Sequence, residues 1–184
     1  AFGSLYKNKY VGNFADIACF SFYPTKNLAT LGDGGALITK HKKLHNFFQK
    51  AVSYGEIKSY RSHFVSGHSR LPEIQAGVLN IYFKSLRDYL KTRKRIHKLY
   101  RDLIEKYGLA KFIRVLYTEN KSSPAAHVFV IEAKYKNQLK KHLEKKGIPV
   151  LVHFPYPVHL LKAFRDIRHS KGSFPIAEKL SKNI

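Results

Sequence analysis

In Phe20-Ser21-Phe22-Tyr23-Pro24-Thr25-Lys26-Asn27-Leu28 a lysine follows a serine by five residues, and Gly32-Asp33-Gly34-Gly35 begins six residues beyond the lysine. A lysine amine can attack an aldehyde and hold it covalently, while a serine hydroxyl and the backbone N–H groups of a glycine turn can bind an anion. A free lysine, with a pKa of about 10.4, is almost wholly protonated at neutral pH, so such chemistry requires burial or neighbouring cations to free the amine. Each feature alone is weak. The chain carries 34 lysines and arginines, and glycine clusters usually serve to reverse the chain. The spacing permits covalent chemistry beside an anion site, but taken alone a surface lysine after a strand is the simpler reading.

The elements around these residues must deliver them to one place. The run Ala18 to Tyr23 is apolar and aromatic enough for a buried strand, and Pro24 removes a ladder donor and ends it, which puts Lys26 on the following loop. Cys19 reads as buried filler within that strand. In a parallel sheet, functional groups gather at the carboxyl ends of the strands, so Ser21 and Lys26 are expected to face one crevice while Phe20 and Phe22 pack inward. Ala36 to Thr39 reads as a second strand, His41 to Ser53 as a helix, and 54–68 as an irregular loop. From Pro72 the apolar residues Ile74, Val78, Ile81, Tyr82, Leu86 and Tyr89 recur at three- and four-residue steps that continue to Tyr107, which predicts one long amphipathic helix ended by a left-handed Gly108. Beyond it the pattern predicts a strand at His127–Glu132, a helix from Tyr135 to Lys146 stopped by Gly147, and a strand from Ile148 to Phe154. The expectation is an α/β fold with three parts: residues 1–71 in a larger domain, 72–107 as a connecting helix, and 108–184 as a small α+β domain.

The Lys26 segment resembles the lysine segment of the DegT/DnrJ/EryC1/StrS family of sugar aminotransferases, which use pyridoxal 5'-phosphate and share the fold-type I architecture of aspartate aminotransferase. Ser69-Arg-Leu-Pro-Glu-Ile-Gln-Ala76 is similar to a helix opening of that family, and Gly147-Ile148 with His153-Phe-Pro-Tyr-Pro-Val-His159 is similar to its substrate-side loop. The resemblance implies that Lys26 forms the internal aldimine and then shuttles the proton, and that Ser21 binds the cofactor phosphate. It implies that His153 and His159 line the sugar pocket. His68 stands where the family carries an asparagine that reaches across a homodimer to the cofactor phosphate. Two readings of it stand side by side: a donor in that role, or a loop histidine without one. Ala29 replaces a common glycine and would crowd the backbone if its φ were positive.

The wording is most similar to the branch that aminates carbon three of nucleotide-linked 3-keto-6-deoxyhexoses. Implied partners are a nucleotide-linked keto sugar, glutamate or glutamine as amino donor, and a second copy of the chain. Members usually run to about twice this length or more. Ala1-Phe2-Gly3 resembles the end of the family's acidic segment, and Ala177 to Ser181 resembles its final helix, so truncation at both ends is expected. The aspartate that keeps the cofactor ring protonated would precede residue 1, and neither Asp16 nor Asp33 stands at its place in the pattern. The fragment alone is then expected to lack activity. A dehydratase branch of the same family carries histidine where this chain has Lys26, which argues against that alternative.

Composition bounds the remaining readings. Against 34 basic residues stand 12 acidic ones, a formal net charge of +22, so a catalytically silent fragment that binds nucleic acid or another polyanion is the competing hypothesis. The basic clusters, at Lys40-His-Lys-Lys43, from Lys91 to Arg101 and from Lys140 to Lys146, are dispersed, and no nucleic-acid signature accompanies them. A solvated lysine-rich surface is the simpler account. A single cysteine excludes an internal disulfide. No apolar run approaches the roughly 20 residues of a membrane span, and the expectation is a soluble, cytoplasmic protein. His41 and His45 lie one helical turn apart without a glutamate between them, so no metal site is assigned.

Overall fold

The computed structural model describes residues 1–58, 60–116, 121–167 and 169–184. In order, the elements are β1 (Leu5–Tyr6), β2 (Lys9–Tyr10), β3 (Ile17–Ser21), β4 (Gly35–Thr39), α1 (Lys42–Ala51), β5 (Glu56–Lys58), β6 (Arg61–Ser62), α2 (Glu73–Lys106), β7 (Ile113–Val115), β8 (Ser122–Ser123), β9 (Ile131–Ala133), α3 (Lys136–Lys145) and α4 (Pro175–Asn183). Contacts divide the chain into two units, Ala1–Ile96 with Thr118–His127, and His97–Tyr117 with Val128–Ile184. Helix α2 contributes to both.

In the first unit β1 pairs antiparallel with β2 and with β8. Lys7 and Asn8 both have positive φ, 47° and 62°, which is the primed turn that matches the twist of a two-residue hairpin. The strand carrying Ser21 pairs antiparallel with β4, in register from Ile17↔Thr39 to Ser21↔Gly35. The expected parallel arrangement is corrected for this pair, because alternation of side chains defines faces but carries no information on strand direction. The inward expectation for Phe22 holds. Phe22, Leu28 and Leu86 of α2 form the buried centre, with Phe2, Phe20, Ala36, Leu79 and Leu90 packed around it. Phe2 meets the rings of Phe20 and Phe22 edge-on at 5.3 and 6.1 Å, the offset geometry aromatic pairs favour.

Cys19 is exposed rather than buried. It shares the outer face of β3 with Ile17 and Ser21, all three exposed. The segment 54–68 also departs from the expected irregular loop, since β5 and β6 pair antiparallel within it. Tyr54 and Gly55, at φ 59° and 70°, turn the chain into that pair.

Helix α2 is continuous over 34 residues, begins just after Pro72, and is followed by Gly108 at φ 61°, as the sequence predicts. No helix among the described residues is long and apolar enough to cross a membrane.

In the second unit β7 and β9 form an antiparallel pair, Ile113↔Ala133 to Val115↔Ile131. The strand expected at 127–132 is therefore shorter and shifted. Arg114 and Glu132 face each other across it and pair through the guanidinium. The strand expected from Ile148 to Phe154 does not form. Pro149 and Pro155 bring no N–H to a ladder, and the chain there runs without regular structure. Helices α3 and α4 match the expected helices, with Gly147 at φ 74° after the first.

Candidate active site

Pro24 is preset for the second position of a β-turn, and the chain makes that turn: the Lys26 N–H donates to the Tyr23 carbonyl at 2.8 Å. Beyond the turn the loop is held by its own side chains and backbone. Leu28, 4 % exposed, is sunk in the core. Thr30, 2 % exposed, donates its backbone N–H and its hydroxyl to the Phe22 carbonyl, each at 2.7 Å. The Leu31 N–H donates to Gln75 Oε1 of α2 at 2.8 Å. Ala29 is absent from the positive-φ residues, so its methyl group replaces glycine without strain.

Lys26 thereby enters a cleft of about 730 Å³ whose lining includes Ser21, Tyr23, Asp33, Gly34, Gly35, Ser69 and Arg70. The two residues singled out for covalent and anion-binding chemistry thus share one cavity. Ser21 Oγ accepts the Tyr23 N–H at 3.3 Å, which leaves the hydroxyl proton for an acceptor in the cleft.

The glycine edge is shaped for backbone approach. A Cβ on Gly35 would stand 2.9 Å from the Phe20 carbonyl oxygen, and one on Gly34 would stand 3.0 Å from Thr30 and 3.2 Å from Leu71. Side chains there would fill the cradle between β3 and β4. A hydroxyl, two cations and bare glycine backbone form a donor set suited to a phosphate-bearing aldehyde, which the lysine can hold covalently. Asp33 is the acid on the lining; Asp16 instead lies 2.7 Å from His41 Nε2.

The histidines separate. His68 is exposed, its ring stacks on Tyr54 at 5.5 Å, and its backbone bridges to Ser53; it does not line the cleft, although the next residue does. Tyr54 also lies under the Arg70 guanidinium at 5.7 Å. His153 and His159 belong to the second unit. His153 is exposed and stacks on Phe154 at 4.7 Å. His159 is buried, with Nε2 3.1 Å from Glu178 Oε1 and its ring 4.8 Å from Phe174. Glu178 also accepts the Gly172 N–H at 2.7 Å. That bond first, with help from His159, holds its carboxyl below the usual carboxylate range.

Sequence reasoning did not single out Arg70, Gln75 or Asn27 as parts of the site. Arg70 and Gln75 lie inside the Ser69–Ala76 motif, and the signal was their adjacency to a predicted helix start. Asn27 had only its place beside the lysine.

Comparisons with known proteins converge on one family. The sequence profile described as the DegT/DnrJ/EryC1/StrS aminotransferase family matches residues 1–184. The chain is 34 % identical over 185 residues to the erythromycin biosynthesis sensory transduction protein EryC1 of Saccharopolyspora erythraea, covering 100 % of this chain and 50 % of the relative. It is 33 % identical over 186 residues to the dTDP-3-amino-3,4,6-trideoxy-alpha-D-glucose transaminase of Streptomyces venezuelae, covering 100 % and 48 %. Among solved structures, S. venezuelae DesV in complex with a ketimine intermediate superposes with a TM-score of 0.92 at 32 % identity, over 100 % of this chain and 48 % of that one. The chain spans about half the length of the curated relatives it matches. The expected fold-type I architecture, half of which is represented in this chain, is borne out by these neighbours.

Proposed function

The chain belongs to the DegT/DnrJ/EryC1/StrS aminotransferase family, and from that premise we propose that the whole protein transfers an amino group to a nucleotide-linked keto-deoxysugar with pyridoxal 5'-phosphate as cofactor. The observation that carries this reading is the shared cleft of Lys26 and Ser21 along the Gly34–Gly35 edge. When bound, the cofactor supplies an electron sink for the carbon that loses its proton. Lys26 would hold the cofactor covalently through Nζ, and as a free amine the same Nζ would take up and return the proton. Ser21 donates its hydroxyl proton to the phosphate. Arg70, braced over Tyr54, adds positive charge to the same cleft.

The finer assignments rest on the same reading. Glutamate or glutamine is the donor, and the protein works as a cytoplasmic homodimer in which His68 faces the partner's cofactor site. Residues 1–71 are the end of the cofactor-binding domain, 72–107 the connecting helix and 108–184 the substrate-side domain. In that last part His153 meets the sugar, and His159 holds the same loop in place through Glu178. The relatives named as dTDP-sugar and UDP-sugar aminotransferases support the substrate class.

The test is borohydride reduction of the full-length protein with pyridoxal phosphate, followed by peptide mapping. Label is expected on Lys26, and Lys26→Arg is expected to lose label and about 10²–10⁴-fold in turnover. A folded, cofactor-saturated protein labelled elsewhere or not at all sinks the proposal.

A further inference from the structure

The segment Ser122–His127 is fixed to the first unit by ties from three directions. The Ala125 N–H donates to Ser4 Oγ at 2.9 Å. Arg93 of α2 donates Nε to the Ala126 carbonyl at 2.7 Å and Nη2 to the His127 carbonyl. Lys94 Nζ donates to Ser123 Oγ at 2.8 Å, and β8 pairs with β1. Ala125 and Ala126 are 3 % and 4 % exposed. The segment is thus a rigid strap held without help from the Lys26 loop.

Onto that strap Asn27 donates Nδ2, at 2.7 Å, to the Ala125 carbonyl, a residue 98 positions away. We propose that Asn27 is a positioning residue for Lys26, fixing the lysine's approach to the cofactor by tying the loop to the strap. The role rests on the reading of Lys26 as the cofactor-linking lysine.

Two observations favour position over bulk stability. On the amino side of Lys26 stand the local turn to Tyr23 and, three and four residues back, the bonds of the Tyr23 N–H to Ser21 Oγ and of the Phe22 N–H to the Gly34 carbonyl, and the ties at Leu28, Thr30 and Leu31 lie two or more residues beyond it. The Asn27 amide is therefore the long-range tie nearest the lysine. Its Oδ1 is buried without a partner among the described residues, a cost to folding that an apolar side chain would avoid. The amide orientation is settled by chemistry, because only the NH₂ end can face a carbonyl.

The experiment compares full-length protein with Asn27→Ala, which removes the donor, and with Asn27→Asp, which keeps the shape and turns the donor into an acceptor. Three readouts are taken on the cofactor-loaded protein: borohydride label at Lys26, amide exchange of residues 23–31, and kcat against KM. Label should stay on Lys26 in both variants. Exchange of 23–31 should rise about tenfold, as loss of one buried hydrogen bond allows. Turnover should fall by about 10²-fold, the scale of a misplaced reacting group, with donor KM within about twofold of native.

Unchanged exchange and kcat in either folded variant overturns this role while Lys26 labelling stands. So does a rise in exchange spread evenly over the whole chain, which marks a merely structural residue. A native protein that takes no label at Lys26 overturns the function and this role together.

Discussion

Gly35→Ala tests whether the edge of the cleft is as tight as it looks. Gly35 pairs with Ser21 at the end of β3, and a Cβ there would sit 2.9 Å from the Phe20 carbonyl oxygen, well inside the ordinary contact range of 3.4–4 Å. The obstacle is backbone in a paired strand, so no side-chain rotation relieves it. The strands must separate by about 0.5 Å, an overpacking strain of roughly 1–3 kcal/mol. The neighbouring bond from the Phe22 N–H to the Gly34 carbonyl, 2.8 Å, lies where the separation would open. Weakening it adds up to about 1 kcal/mol. The expected loss is about 2–3 kcal/mol, or roughly 1 M in the urea midpoint at an unchanged slope of about 2–3 kcal/mol/M. Because the displaced residue opposite Gly35 is Ser21, affinity for pyridoxal phosphate should fall about tenfold or more while saturating cofactor still labels Lys26. A midpoint within about 0.2 M of native refutes the contact argument. A lowered midpoint with undiminished cofactor affinity refutes the placement of the phosphate beside Ser21.

Gly77 makes the opposite prediction, since a Cβ at this position in α2 meets nothing within 4 Å. Gly77→Ala should stabilise the protein by about 0.5–1 kcal/mol through helix propensity. A destabilised variant in thermal unfolding would show that the exposed face bearing Ile74 and Ile81 is covered in solution. In the second unit, Glu178 is a depressed carboxyl, so its contribution is present above the ordinary glutamate value of 4.5 and is lost as pH falls through its lower folded value. The melting-temperature advantage of native protein over Glu178→Gln should shrink as pH is lowered from 6 to about 3. An advantage constant across that range would remove the Gly172 and His159 contacts as its source.

The site was legible where its chemistry is local in the chain. Lys26, Ser21 and the glycine turn fall within 15 consecutive residues, and a strand, a proline and a loop suffice to bring them to one cleft. The long α2 was legible because its apolar period persists for nine turns, and Gly108 and Gly147 adopt the left-handed conformation that ends their helices. Direction of pairing was not legible, because β3 alternates identically whether its neighbour is parallel or antiparallel. The apolar run Ile148–Phe154 looked like a strand by composition, but Pro149 inside it and Pro155 directly after it remove donors at both ends. The family resemblance implied a sugar-pocket role for His159; its contact with Glu178, 19 residues on, lies beyond the range of any local pattern.

The part no pattern reveals is what holds Lys26 still. The buried centre of the first unit is small, Phe22, Leu28 and Leu86, whereas Ile17, Leu37, Ile38, Ile74 and Ile81 are exposed. Non-directional burial of that extent cannot fix a loop to the fraction of an ångström that a reacting amine needs. Directional bonds can. The loop from Tyr23 to Leu31 is tied to Phe22 just past β3, to Gln75 in α2 and to Ala125 just past β8, three points separated widely in sequence. The precision of the lysine is therefore a property of hydrogen-bond geometry rather than of core size, with Leu28 and Thr30 the buried residues of the loop.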